Sequence, residues 1–144
     1  MMNNKETATL HQNFKDDLKE IIVEMLKIFQ FNVEISKTIC GRSGITHEVD
    51  IVAEKRDRPQ TRFLIKCKSY MEEATLRLDE VLCFWSQILD VSADRGVIVT
   101  SCRVSESAAK FAEYRGISIV TAKNLVELRH KILKSELFVP KMVR

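Results

Sequence analysis

The stretch that decides the fold is GITHEVDIV, Gly44–Val52, followed after a charged loop by FLIKCK, Phe63–Lys68. In a β-strand, residues two apart point to the same face. This alternation puts Glu48 and Asp50 on one face of the first segment, and Lys66 and Lys68 on one face of the second. If the two segments pair as a β-hairpin around the loop at 54–60, these four side chains share a face.

The pattern outside the hairpin predicts alternating helices and strands. Apolar residues at helical spacing predict the helices, and period-two or continuous apolar runs predict the strands. The additional elements are a helix from residue 13 to 29, a strand at 31–35, a helix at 76–89, a strand at 96–100, a helix at 105–114 that Gly116 ends, a strand at 117–120 and a helix from the N-cap Thr121 to about residue 133. This order predicts an α/β fold with a mixed central sheet and helices on both faces.

Length and composition predict a single domain. The 144 residues are 45% hydrophobic, which suffices for one core. Residues 1–12 are polar and lack periodicity, so we expect a flexible N-terminal arm. The domain is expected to cover residues 13–134, and residues 135–144 to form a basic C-terminal tail.

Composition also argues against several classes of protein. The sequence has no apolar run of membrane-spanning length and no signal-peptide pattern, so we expect an intracellular, cytoplasmic protein without a membrane partner. The four cysteines are widely spaced, which argues against a zinc site and favours free thiols. The net charge of +3 neither indicates nor opposes binding to nucleic acid.

The hairpin residues suit metal-dependent hydrolysis of phosphodiesters. Two carboxylates can hold Mg²⁺, a cation that prefers oxygen ligands, and a lysine can offset charge on the transition state. An ordinary cross-strand ion pair between Asp50 and Lys68 is the alternative interpretation. His47 alternates to the other face, so we expect a packing or loop histidine rather than a catalytic base.

The ordered series of motifs resembles the PD-(D/E)xK nuclease superfamily, nearest to Mrr-like restriction endonucleases and archaeal Holliday-junction-resolvase-like enzymes. The resemblance extends over residues 14–133 and implies a restriction-endonuclease-like fold. It implies a DNA endonuclease that uses Mg²⁺ or Mn²⁺, with Asp50 as a metal ligand and Lys68 as the catalytic lysine. The segments that carry it are 41–50, Lys66-Cys67-Lys68, 93–101 and 108–125.

One position departs from the family pattern, because Lys66 stands where the motif has Glu or Gln. An ammonium group cannot bind Mg²⁺, and two like charges roughly 4 Å apart repel by about 1 kcal/mol in water and by more in a partly buried site. Glu48 could supply the missing ligand. A first-helix acid, Glu20 or Glu24, often joins the site in this family, although Lys19 is the residue at the best-aligned position.

Basic residues near the hairpin predict contacts to DNA phosphates. They are Arg42, Lys55, Arg56, Arg58 and Arg62. The leading hypothesis is a DNA-binding protein of nuclease descent whose cleavage is weakened or lost through Lys66. The alternatives are an active Mg²⁺-dependent endonuclease that uses Glu48, Asp50 and Lys68, and a non-catalytic assembly module. A homodimer is left open.

Overall fold

A computed structural model describes residues 3–55, 60–69 and 74–135, with the backbone alone for residues 6–15. The elements follow the predicted alternation of helices and strands, with two short strands in addition. In chain order they are α1 (Asn4–Ile28), β1 (Asn32–Cys40), β2 (Thr46–Lys55), β3 (Thr61–Lys68), β4 (Thr75–Leu76), α2 (Leu78–Asp90), β5 (Arg95–Thr100), β6 (Arg103–Val104), α3 (Glu106–Arg115), β7 (Ser118–Thr121) and α4 (Leu125–Lys134).

The central sheet is mixed and has the strand order β1-β2-β3-β5-β7. The pairs β1–β2 and β2–β3 are antiparallel, whereas β3–β5 and β5–β7 are parallel. The helices α2 and α3 provide the crossovers that parallel neighbours require. The strands β4 and β6 form a separate two-stranded sheet. The predicted fold class is therefore confirmed.

Two hydrophobic clusters lie on opposite faces of the sheet. One packs α1 and α4 against the sheet through buried residues such as Leu26 and Leu128. The other packs α2 and α3 through Phe84 and Ala112. Residues buried on both faces explain why β5 reads as a continuous apolar run.

Close approach of α2 to the sheet depends on Gly96 in β5. A β-carbon at this position would lie 2.2 Å from Cδ1 of Ile88 and 3.0 Å from the ring of Phe84. A larger residue at this position therefore requires the side chain of Ile88, or α2 itself, to shift. The contact matters for the site described below because α2 also carries Glu80 and Asp90.

Two boundaries differ from the sequence prediction. Helix α1 begins at Asn4, within the segment 1–12 that polar composition predicted as an arm. Adding residues to an existing helix costs much less than nucleating one, so a buried second half can support a polar first half. Helix α4 is capped by Asn124, whose side chain accepts the N–H of Glu127 at 2.8 Å, rather than by Thr121, which ends β7.

Other features bear on the remaining predictions. The helix α3 ends at Gly116 with φ 71°, as expected of a left-handed C-cap. The predicted basic tail lies outside the described residues except for Ser135. No helix in the described part of the chain is long and apolar enough to cross a bilayer.

The pairing of the edge strand β1 with β2 is irregular at Ser36. Ser36 has φ 50°, in the left-handed region, between the pairs Ile35–Ile51 and Lys37–Val49. Although Val49 and Ile51 are two residues apart, they pack into different hydrophobic clusters. The regular alternation of β2 is therefore interrupted at Asp50, and strained backbone of this kind often accompanies functional sites.

The close packing at Gly96 gives a test of the fold. We expect Gly96→Ala to lower the free energy of unfolding by about 1–3 kcal/mol, because overpacking forces α2 away from β5. Adding Ile88→Val removes the methyl group that the new β-carbon meets, so the double variant should be more stable than the sum of the two single effects predicts. Urea denaturation of all four proteins measures this coupling, and strictly additive effects would contradict the clash.

Candidate functional site

The side chains predicted for the site line one open pocket of about 570 Å³. The pocket lies where pairing between β2 and β3 ends, at Ile51–Ile65, and where α1 crosses the sheet. Three lysines, two carboxylates and three hydroxyls are among its walls. The lining residues are Lys19, Ser36, Thr38, Glu48, Val49, Asp50, Lys66, Cys67, Lys68 and Ser69.

Both carboxylate oxygens of Asp50 have partners. The backbone N–H of Cys67 in β3 donates a hydrogen bond to Oδ2 at 2.9 Å. The ammonium of Lys19 on α1 lies 3.5 Å from Oδ1. The side chains of Lys19 and Asp50 are only 14% and 21% exposed, so water screens this ion pair less than a surface pair.

Lys68 is buried and forms an ion pair with Glu80 in the first turn of α2. The other oxygen of Glu80 accepts the backbone N–H of Arg77 at 3.0 Å, which satisfies a free donor at the start of α2. Glu80 therefore connects the pocket to the helix on the opposite face of the sheet. The charge of Lys68 is largely balanced within the protein.

Lys66 and Glu48 differ from these pairs. Within the described ranges 3–55, 60–69 and 74–135, neither side chain forms a hydrogen bond or an ion pair. Glu48 is exposed and Lys66 is partly exposed. Both groups are therefore available to a molecule that enters the pocket.

The donor set does not fit a Mg²⁺ ion in this arrangement. Magnesium requires several oxygen ligands in octahedral geometry. Asp50 already has an ammonium partner and a backbone donor, and three ammonium groups line the same pocket. Among the described residues, no three His, Cys, Asp or Glu side chains are grouped closely enough to hold a metal.

The predicted DNA-binding residues lie elsewhere. Lys55 and Arg62 are near the tip of the β2–β3 hairpin, roughly 17 Å and roughly 14 Å along the strands from Asp50 at about 3.4 Å per residue. The ammonium of Lys55 lies over the ring of Phe31, and Arg62 pairs with Glu54 at 2.8 Å. The basic residues at the hairpin tip therefore do not line the pocket, because the acidic and lysine residues sit at the opposite end of the strands.

The other predicted basic residues do not line the pocket. Arg42 is exposed in the β1–β2 loop, and its backbone N–H donates to the carbonyl of Asp90. Arg56 and Arg58 lie outside the described residues. Whether any of these side chains contacts DNA stays a prediction.

The first-helix residue at the pocket is Lys19, not an acid. Glu20 is exposed and does not line the pocket, and Glu24 pairs with Arg129 of α4 at 3.1 Å. Helical spacing alone could not choose among these residues, because the choice depends on how α1 is rotated over the sheet. The roles of Lys19 and Glu80 come from the tertiary structure.

A second polar cluster joins the β1–β2 loop to the end of α2. The hydroxyl and the backbone N–H of Ser43 donate to the carboxylate of Asp90 at 2.7 and 2.9 Å, and Nε2 of His47 lies 2.7 Å from it. The hydrogen bonds from Ser43, followed by that from His47, lower the pKa of Asp90 from its usual 3.8 to about 2. Since Ser43 bonds to Asp90 and not to His47, the three residues do not form a nucleophile–base relay.

Comparison with known proteins places this geometry in context. The family model for the Mrr catalytic domain, described as a restriction endonuclease, matches residues 12–129. The comparison with curated proteins found no match.

Three solved structures are similar in fold. A protein of unknown function, AF1548, is 22% identical with a TM-score of 0.65, covering 89% of this chain and 72% of its own. The DNA modification-dependent restriction endonuclease AspBHI is 17% identical with a TM-score of 0.55, and the match covers 84% of this chain and 35% of AspBHI. The restriction endonuclease MspJI, in complex with a 27-mer oligonucleotide, is 13% identical with a TM-score of 0.51, and the match covers 79% of this chain and 28% of MspJI.

The Asp90 cluster predicts a specific acid dependence. The pKa of Asp90 is lower in the folded protein than in the unfolded chain, so its contribution to stability is complete above about pH 4 and is lost as the pH falls towards 2. We expect the melting temperature of Asp90→Asn to be lower than that of the wild type at neutral pH and to fall less between pH 4 and 2. Glu113→Gln, at an exposed carboxylate on α3, should retain the wild-type profile. Parallel profiles for wild type and Asp90→Asn would contradict the role of Asp90.

Proposed function

Since the chain belongs to the Mrr-type family of restriction endonucleases, we propose that it binds DNA through the pocket around Asp50 and that its metal-dependent cleavage is weakened or lost. The observation that supports the proposal is the side chain of Lys66. It lies in the pocket without an anionic partner among the described residues. Its position corresponds to the acid of the PD-(D/E)xK motif, two residues before Lys68.

The exchange of acid for lysine has two consequences of opposite sign. An ammonium group supplies no oxygen ligand and repels a divalent cation, which opposes hydrolysis. The same charge attracts a phosphate, which favours binding to the DNA backbone. The hydroxyls of Ser36, Thr38 and Ser69 add hydrogen-bond donors around the pocket.

An active Mg²⁺-dependent endonuclease is the second candidate. Glu48 favours it, because this exposed carboxylate lines the pocket beside Asp50 and has no ion pair within the described residues. Glu48 and Asp50 would then hold the metal, and Lys68 would stabilise the charge that develops on the phosphate. This candidate requires that Lys19 and Lys66 both move away from Asp50.

The similar restriction endonucleases do not define the substrate of this chain. It spans about a third of AspBHI and MspJI. The dependence on DNA modification that the name of AspBHI states can reside in the parts of that protein that this chain does not match. DNA duplex, branched and single-stranded substrates therefore all belong in the binding test.

The first test is binding. We expect micromolar or weaker affinity for DNA at low salt, and a log–log salt slope of about 0.9 for each phosphate contacted. Lys66→Gln should reduce that slope by about one contact. The matched control is Lys110→Gln on α3, an exposed lysine outside the pocket that pairs with Glu106. Fluorescence anisotropy measures both, and no binding to any DNA structure at low salt would refute the proposal.

The second test is cleavage. We expect the wild-type protein to cut DNA poorly or not at all with Mg²⁺, and Lys66→Glu to create or raise activity because it replaces a competing charge with an oxygen ligand. Adding Lys68→Ala or Asp50→Asn should remove the gained activity. Loss of one well-placed electrostatic group costs about 10²–10³ in rate, which sets the upper range of the gain.

The opposite result would identify the second candidate. Strong Mg²⁺-dependent cleavage by the wild type, abolished by Glu48→Gln, would mean that Glu48 has replaced the motif acid. Supercoiled plasmid nicking is a suitable readout, because a single cut per molecule changes its mobility.

A further inference from the structure

We propose that the ammonium of Lys19 takes the place of the divalent cation beside Asp50, so that this pocket holds a DNA phosphate through Lys66 without a metal. The part that concerns DNA rests on the proposed function. The part that concerns Lys19 and the metal does not, and it can be tested in the absence of DNA.

The carboxylate of Asp50 is partly buried, and its negative charge would be unbalanced if neither a metal nor a side chain faced it. Lys19 supplies that balance at 3.5 Å from Oδ1, while the N–H of Cys67 holds Oδ2. A divalent cation would have to enter against this ammonium and displace it.

The partners of the three lysines in the pocket determine which ammonium an incoming anion can meet. Lys68 is balanced by Glu80, and Lys19 by Asp50. Among the described residues that line the pocket, Lys66 is the lysine with no anionic partner. An incoming anion can therefore pair with the ammonium of Lys66. The ion pairs Lys19–Asp50 and Lys68–Glu80 lie beside this group.

The hydrogen-bond donors of the pocket suit a phosphate group. A tetrahedral phosphate has several acceptor oxygens and can accept from an ammonium and from hydroxyls at once. The pocket presents Lys66 together with Ser36, Thr38 and Ser69, and it is open to solvent. These donors match a phosphate of the DNA backbone and do not distinguish one base from another.

The first experiment measures metal binding to the protein alone. Titration with Mn²⁺, followed by the electron paramagnetic resonance signal of the free ion, should show no site in the wild type at sub-millimolar concentrations. Lys19→Gln should create a site, because it frees Asp50 beside Glu48, and the partly exposed side chain of Lys66, which has no partner among the described residues, can turn to solvent. Lys19→Gln/Asp50→Asn should abolish that site again.

Two variants control for charge and position. Lys27→Gln removes an exposed lysine from the same helix and should behave as the wild type. Lys19→Arg keeps the positive charge and should also bind no Mn²⁺, whereas a metal site in this variant would contradict the proposal. Thermal unfolding of each protein separates a new site from a loss of fold.

The second experiment compares DNA binding in EDTA and in Mg²⁺ at equal ionic strength. The affinities of the wild type should agree within about twofold, and Lys19→Gln should bind more tightly with Mg²⁺ than with EDTA. A wild-type Mn²⁺ site that Asp50→Asn removes would overturn the inference, as would DNA binding that requires Mg²⁺. Absence of DNA binding in both buffers would refute the proposed function and the phosphate part of the inference, while the Mn²⁺ titration would still decide the role of Lys19.

Discussion

The backbone N–H of Cys67 requires an acceptor, and the carboxylate of Asp50 supplies it. The paired positions of β2 and β3 end at Ile51 and Ile65, so the ladder does not extend to this donor. Cys67 is buried, and an unsatisfied buried donor costs about 1–3 kcal/mol. Asp50 is therefore held at the junction of the two strands for a structural reason, whatever chemistry the pocket performs. The same bond explains why Asp50→Asn, which keeps an acceptor oxygen, is the suitable variant for testing its charge.

The fixed position of Asp50 determines the arrangement of charge around it. A carboxylate that is 21% exposed requires a cation nearby, and α1 provides Lys19. The buried ammonium of Lys68 likewise requires a nearby anion, and α2 provides Glu80. Removing one partner of such a pair leaves the other uncompensated, which is more costly than removing both. The helices α1 and α2 thus contribute one charged residue each, and their positions are coupled to the pocket through these pairs.

Local periodicity in the sequence predicted the hairpin, although the alternation of β2 is interrupted at Asp50. Glu48, Asp50, Lys66 and Lys68 do line one pocket. The partners of these residues could not be predicted, because Lys19 and Glu80 reach the pocket from opposite faces of the sheet. The distance of the basic hairpin tip from the pocket follows from the strand geometry, since an extended strand separates residues five apart by roughly 17 Å.

The proposed place of Lys66 at the acid of the motif is compatible with the fold, because a lysine at position 66 disturbs none of these pairs. Loss of Asp50 would leave the N–H of Cys67 and the ammonium of Lys19 without their observed partner. Loss of Lys68 would leave Glu80 beside the start of α2 without its cation. The side chain of Lys66 has no partner among the described residues and faces the open pocket, so its charge can remain hydrated when no ligand is bound. Under the proposed function, position 66 is therefore a place where a lysine can replace an acid without breaking an ion pair of the described residues.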